Sequence, residues 1–307
     1  MGRPAGTPPT LALAGAVDPA PLRAAGWQVR GVLSADPFVD RLDALGYVDL
    51  EELLVDGRLD GVAVDGDDAV LAALLPQLRE AGLLLLLPTP APLDPELVRA
   101  ARAVPEPADA AVGLRGRWEP WALTVAAALP LLGPVLQVTV RGWPRGRPAA
   151  AELVDLVGGW CGEVVAVVAA PGPLPATELP GGAAVAWSVL TASGATVLVS
   201  HEGGPQQVRL STAAARLEAG PGGARWTGGA ELPLLPLPSW VPQPAAGQAG
   251  DPALVAVAAA LAGAVGGGDV PAETWPWPAD LGDLLVVARV LEALRTSART
   301  EALVPVA

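Results

Sequence analysis

Hydrophobic positions in the first third of the chain come in short unbroken runs, and each run is followed by a segment with helical spacing. Residues Thr10–Ala14 form the first run, which stops at Gly15. Asp18-Pro19 follows, an N-cap residue with proline in the first turn, so a short helix is predicted up to Gly26. Residues 27–33 alternate, with Val29, Val32 and Leu33, and read as a second strand. Ser34-Ala35-Asp36-Pro37 turns the chain into a predicted helix carrying Phe38, Val39, Leu42 and Leu45. Asp49 caps a short helix over 50–54. Residues 61–64 are a third strand, and 69–80 a helix with Leu71, Leu74, Leu75 and Leu78 on one face. Residues 83–87 are five leucines that run into Pro88-Thr89-Pro90-Ala91-Pro92, a strand entering a proline-locked loop. Asp94 caps a helix through Ala103, and a Pro/Ala linker spans 105–110. Strands alternating with helices predict a parallel sheet covered on both faces, and wholly apolar runs suit its central strands.

The pattern changes after Val112. A helix is predicted over 120–132, ending at Gly133-Pro134, then a strand over 135–140 and a helix over 149–160. Strand-like runs at 164–169, 183–190, 195–200, 207–211 and 214–218 are split by Gly/Pro turns and predict a mostly antiparallel sheet. A proline-rich connector covers 232–244. Two helices close the chain, at 252–265 and 281–300. The predicted fold is α/β. A Rossmann-like doubly wound parallel sheet (residues 1–112) is followed by an α+β domain with an open, mostly antiparallel sheet (residues 113–307).

Composition narrows the function. A chain of 307 residues with 51% hydrophobic and 17% charged residues has ample material for a core. A net charge of −13, with no run of cations, argues against a nucleic-acid partner. All 19 basic residues are arginine, so the chain has no lysine. One cysteine, Cys161, excludes an intramolecular disulfide and a cysteine-built zinc site, and reads as a small buried hydrophobe in a reducing cytoplasm. The single histidine, His201, excludes a His-pair metal site; at a strand end before Gly203-Gly204 it is expected to be a surface or turn residue. No apolar run reaches the ~20 residues of a membrane span. Arg3 followed by residues 11–17 mimics a signal peptide, but the same residues serve as the first strand.

Three segments carry a family resemblance. The first is Tyr47-Val48-Asp49-Leu50-Glu51-Glu52-Leu53-Leu54, then Leu59-Asp60-Gly61-Val62-Ala63-Val64, then Ala81-Gly82 with the leucine strand. The second is Gly158-Gly159-Trp160-Cys161-Gly162-Glu163-Val164, and the third Leu291-Glu292-Ala293-Leu294-Arg295-Thr296-Ser297-Ala298. In this order they resemble the Gfo/Idh/MocA family of NAD(P)-dependent oxidoreductases. The resemblance implies NAD or NADP as cofactor, a last helix packing back toward the first domain, and oligomerisation through the exposed face of the second sheet.

The same resemblance places the functional positions. The family's glycine-rich turn falls on Gly15, Val17 and Ala20, where only the first glycine remains and Asp18 adds a negative charge. Gly15, Ala16, Ser34, Asp36 and Pro88 are the candidate cofactor contacts, with Asp36 facing a ribose hydroxyl or simply capping the helix before Pro37. The family's Glu-Lys-Pro falls on Pro88-Thr89-Pro90, so Thr89 stands where the lysine would hold substrate and help move a proton. Its G-x-H-x-x-D motif puts Glu152 at the histidine and Asp155 at the aspartate. Three residues apart, they share a helix face, either as an acid–base pair or as a solvated surface. Trp118 and Trp121 flank Pro120 as core or cleft residues, and Trp275 and Trp277 are expected to clamp the last helix. These substitutions imply a catalytically degenerate member, a binding or partner subunit with a small-molecule ligand and a homo-oligomeric assembly. The alternatives are an active dehydrogenase of a sugar-like or other hydroxylated substrate using Glu152 and Asp155, and a purely structural homo-oligomer.

Overall fold

The computed structural model describes residues 7–33, 44–47, 49–55, 58–66, 68–88, 94–103, 110–144, 147–171, 184–201, 204–226, 231–232, 251–266 and 279–306. The elements begin with β1 (Thr10–Ala14), α1 (Pro19–Ala24), β2 (Gln28–Leu33), β3 (Leu45–Tyr47), α2 (Leu50–Val55) and β4 (Gly61–Val64). They continue with α3 (Asp68–Glu80), β5 (Leu84–Leu87), α4 (Pro95–Arg102), β6 (Ala110–Val112), a 3-10 turn (Arg115–Trp118), α5 (Pro120–Leu132), β7 (Gln137–Arg141) and α6 (Arg147–Cys161). Then come β8 (Val164–Pro171), β9 (Ala184–Thr191), β10 (Thr196–Ser200), β11 (Gln207–Ser211), β12 (Arg216–Gly220), β13 (Gly223–Trp226) and β14 (Glu231–Leu232). The last are α7 (Pro252–Gly266), α8 (Leu281–Thr300) and β15 (Val304–Pro305). Two compact units result: Met1–Arg115 with Pro238–Leu285, and Gly116–Leu237 with Val286–Ala307.

The first unit holds a six-stranded parallel sheet in the order β3-β2-β1-β4-β5-β6. Every residue of β1 and β4 is buried, and beyond Thr10, whose hydroxyl bonds to the Arg58 carbonyl, neither strand carries a polar side chain, as central strands require. Asp60 fixes the start of β1. Its carboxylate accepts from the Thr10 N–H (2.6 Å), and its own N–H donates to the Thr10 carbonyl (2.9 Å). The predicted caps are in place: Asp49 accepts from the Glu52 N–H and Asp94 from the Glu96 N–H, both at 2.9 Å. α7 packs on α1 and β6, and the Trp27 indole N–H donates to the Ala258 carbonyl within it (2.8 Å).

Two expectations change here. Leu45 belongs to a strand, not to a helix; Phe38, Val39 and Leu42 of that predicted helix lie outside the described residues. The cause is Gly31 in β2, which lies directly under the Tyr47 ring. A Cβ at Gly31 would stand 2.1 Å from Tyr47 Cε2, so the bare glycine lets β3 pair alongside. Ala110, read as the end of a linker, starts β6 and pairs with Leu85.

The second unit holds a nine-stranded sheet, β14-β13-β12-β11-β7-β10-β9-β8-β15, antiparallel throughout except for the β7–β10 pair. Val138, Val140, Val197, Val199, Val208 and Leu210 are buried on its inner side, and α5 packs against β12, β13 and α6. The strand predicted at 214–218 starts instead at Arg216. The Thr212 hydroxyl oxygen accepts from the Ala214 and Ala215 N–H groups and holds those residues in a turn. Buried Ser297, inside the third resemblance segment, has a structural task. Its oxygen accepts from the Ala169 N–H (3.0 Å) and its hydroxyl donates to the Ala302 carbonyl (2.6 Å), tying α8 to β8.

Candidate functional site

Three places gather the residues and the sheet face singled out by sequence, one in the first unit and two in the second. The first is the turn after β1, at the point where the strand order reverses between β1 and β4. Ligands of doubly wound sheets bind outside the carboxyl ends of the strands at such a point. Gly15 has φ +86°, and a Cβ there would stand 1.7 Å from the Asp65 carbonyl oxygen. Only glycine fits, by dihedral and by space. Ala16 is exposed beside it.

A pyrophosphate at this point is normally received by free N–H groups at the start of the following helix. Pro19 and Pro21 have no N–H to offer. The Ala20 N–H between them donates to Asp18 Oδ1 (2.9 Å), the N-cap of α1. The first three helical positions therefore present no open donor, and a carboxylate stands where the anion would sit. α1 is also only six residues long, which limits its dipole. These residues do not fit a dinucleotide pyrophosphate. Ser34, Asp36 and Thr89 lie outside the described residues. Pro88 is buried after β5, where its carbonyl faces Arg115 Nη2 at 3.4 Å. Arg115 also pairs with Asp251 (2.6 Å), which caps α7 by accepting from the Ala253 N–H (2.9 Å). The local sequence gave no sign of this Arg115–Asp251 pair, whose members stand 136 residues apart.

The second place is α6. Asp155 is buried and accepts both Arg117 Nε (2.7 Å to Oδ2) and Arg117 Nη2 (2.6 Å to Oδ1). Side-chain exposures of 11% for Arg117 and 5% for Asp155 make this a buried, two-pronged ion pair. The 3-10 turn carrying Arg117 lies close against α6: a Cβ on Gly116 would stand 3.1 Å from Leu156 Cδ1 and 3.6 Å from Glu152 Cβ. Glu152 is half-buried beside it. Trp118 and Trp121 are core residues, 1% and 2% exposed. Trp121 meets Trp143 and Trp160 edge to face, with centroids 6.2 Å and 5.9 Å apart. Among the described residues the buried Trp160 indole N–H meets no acceptor.

His201 is neither a surface nor a turn residue. It is buried, and the Trp187 indole N–H donates to its Nε2 (3.1 Å) while its Nδ1 lies 3.1 Å from the Trp143 carbonyl. An indole only donates and a carbonyl only accepts, so these contacts fix the neutral ring with its proton on Nδ1. Two tryptophans distant in sequence enclose it, which the neighbouring glycines could not signal. Cys161 is buried as expected, and burial pushes its thiol up to about 12. Trp275 and Trp277 lie outside the described residues.

The third place is the outer face of the nine-stranded sheet. One row of paired positions crosses it: Arg225, Glu218, Arg209, Thr139, Leu198, Ser188 and Val168. Its charged end is a ladder. Glu218 accepts from Arg209 Nε (2.8 Å) and Arg225 Nη2 (2.8 Å), and the bonds from Arg225 and then Arg209 hold its carboxyl below the usual carboxylate range. The other end is apolar and hydroxylic, with Val168, Leu190 and Leu198 at 36%, 42% and 40% exposure. Among the described residues no group of His, Cys, Asp and Glu is arranged to hold a metal, and no helix is long and apolar enough to cross a membrane.

No protein-family model and no curated protein sequence matches the chain. Solved structures do. The WlbA dehydrogenase from Bordetella pertussis, in complex with NADH and UDP-GlcNAcA, matches with TM-score 0.73 and 14% identity over 99% of each chain. An oxidoreductase from Agrobacterium radiobacter, in complex with NAD+, L-tartaric acid and magnesium, matches with TM-score 0.73 and 17% identity over 98% of this chain and 99% of the other. Levoglucosan dehydrogenase, in complex with NADH and L-sorbose, matches with TM-score 0.73 and 15% identity over 97% and 99%. Parallel sheet, second mixed sheet and near-complete coverage agree: the chain has the fold of the Gfo/Idh/MocA-type NAD-dependent oxidoreductases.

Proposed function

We propose that the chain is a catalytically degenerate relative of these dehydrogenases that acts as a binding or partner subunit in a cytoplasmic, self-associated assembly. The observation that carries the reading is the Arg117–Asp155 pair. A general acid or base must be able to exchange its proton with substrate, and both Asp155 oxygens are engaged by one guanidinium in a buried setting. The absence of lysine from the chain supports the same reading, since no ammonium is present to orient a hydroxyl substrate. The chain is expected to give no reduced nicotinamide from NAD+ or NADP+ with a panel of polyols, hexoses, sugar acids and nucleotide sugars, followed by absorbance. Turnover above background that Glu152→Gln abolishes would overturn the reading.

The partner surface of this reading is the outer sheet face, with a second copy as occupant. Three exposed aliphatic side chains among small hydroxylic ones are poor company for water, and the charged row beside them supplies orientation. Light scattering is expected to give a dimer or larger species that Leu198→Arg converts to monomer. A monomeric wild-type chain at micromolar concentration contradicts this part of the proposal.

A further inference from the structure

We infer that the turn after β1 is liganded from within: Asp18 holds the anion position at the start of α1, and the first unit takes up no nicotinamide dinucleotide. The inference extends the reading of the chain as a non-catalytic relative to its cofactor, and it is tested separately from that reading.

Helix starts bind phosphate because their first N–H groups have no partner within the helix. In α1 two of the first three positions are proline, and the third, Ala20, gives its N–H to Asp18 Oδ1 at 2.9 Å. Nothing is left over for a phosphate oxygen at these positions. The Asp18 carboxylate also repels a second anion brought within a few ångströms. Both features act in the same direction and have different chemical origins: the prolines remove donors, and the aspartate satisfies and screens the one that remains. Glycine at position 15 has a reason of its own, the Asp65 carbonyl pressed against it and a positive φ, so its presence does not by itself indicate a phosphate site.

The experiment is a fluorescence titration of the full chain with NADH and with NADPH, using ADP-ribose as competitor, alongside melting curves of wild type, Asp18→Ala and Asp18→Asn. No saturable binding is expected up to about 1 mM, and NADH at that concentration leaves the wild-type melting temperature unchanged. As a cap, Asp18 gives a second readout: Asp18→Ala lowers the melting temperature by about 2–4 °C and Asp18→Asn restores most of it. Saturable binding at any concentration in that range, displaced by ADP-ribose, overturns the inference. So does an Asp18→Ala variant that melts like wild type. Binding without turnover sinks this inference and leaves the non-catalytic reading standing, whereas turnover sinks both.

Discussion

Replacing Asp155 by alanine is expected to destabilise the second unit by about 3–5 kcal/mol, because it strands the Arg117 guanidinium in a site that is 11% exposed. In a melting experiment this is a drop of roughly 10 °C. The cost is not the net value of the pair. Two charges were taken out of water to form it, and their mutual attraction only repays that expense. The double variant Arg117→Met/Asp155→Leu removes both charges, keeps the volume, and is expected to recover most of the lost stability. A double variant as unstable as the single one would show that the pair contributes through geometry rather than charge balance. A single variant with unchanged melting would mean that Asp155 is not locked, and would reopen acid–base chemistry at α6.

The second large effect is at Gly15. Gly15→Ala is expected to cost about 3 kcal/mol or more, the sum of a left-handed backbone penalty and a collision that forces main chain apart. The collision is with the Asp65 carbonyl oxygen, 1.7 Å from the added Cβ, and a backbone atom cannot turn aside. Gly26 provides the control. It has φ +90° and nothing within 4 Å of an added Cβ, so Gly26→Ala carries only the dihedral penalty, about 1–2 kcal/mol. Equal losses at the two positions, read from melting curves, would remove the close approach of the β1 and β4 turns from the account.

What was legible in the sequence follows the range of the interactions. β1, β4 and β5 could be read because strands buried on both faces show as nearly unbroken apolar runs. The helices at 95–102 and 120–132 could be read because their caps and prolines are local. β3, β6, β14 and β15 have two or three residues each, too few for an alternation to show. The candidate sites divide in the same way. The sealed start of α1 is written in five consecutive residues, Asp18 to Leu22, and needs only the absence of a proline N–H to be seen. The fate of Asp155 depended on Arg117, 38 residues away. The enclosure of His201 depended on Trp143 and Trp187, 58 and 14 residues away. The charge ladder is an intermediate case. Arg209, Glu218 and Arg225 each occupy an outward position of their strands, but only the register brings them into one row.

The two units are threaded through one another in sequence. The first is interrupted after Arg115 and resumes at Pro238; the second is interrupted after Leu237 and resumes at Val286. During synthesis the parallel sheet can pair its six strands early, since all of them precede residue 113. Its cover cannot follow until α7 emerges, so Trp27 waits for the Ala258 carbonyl across 231 residues. The antiparallel sheet waits longer still, for Ser297 and β15 at the far end of the chain. Closing such long loops is slow and leaves apolar surface open meanwhile. A chain stopped anywhere before residue 252 lacks α7 for the first unit and Ser297 and β15 for the second, and leaves apolar surface of both units uncovered.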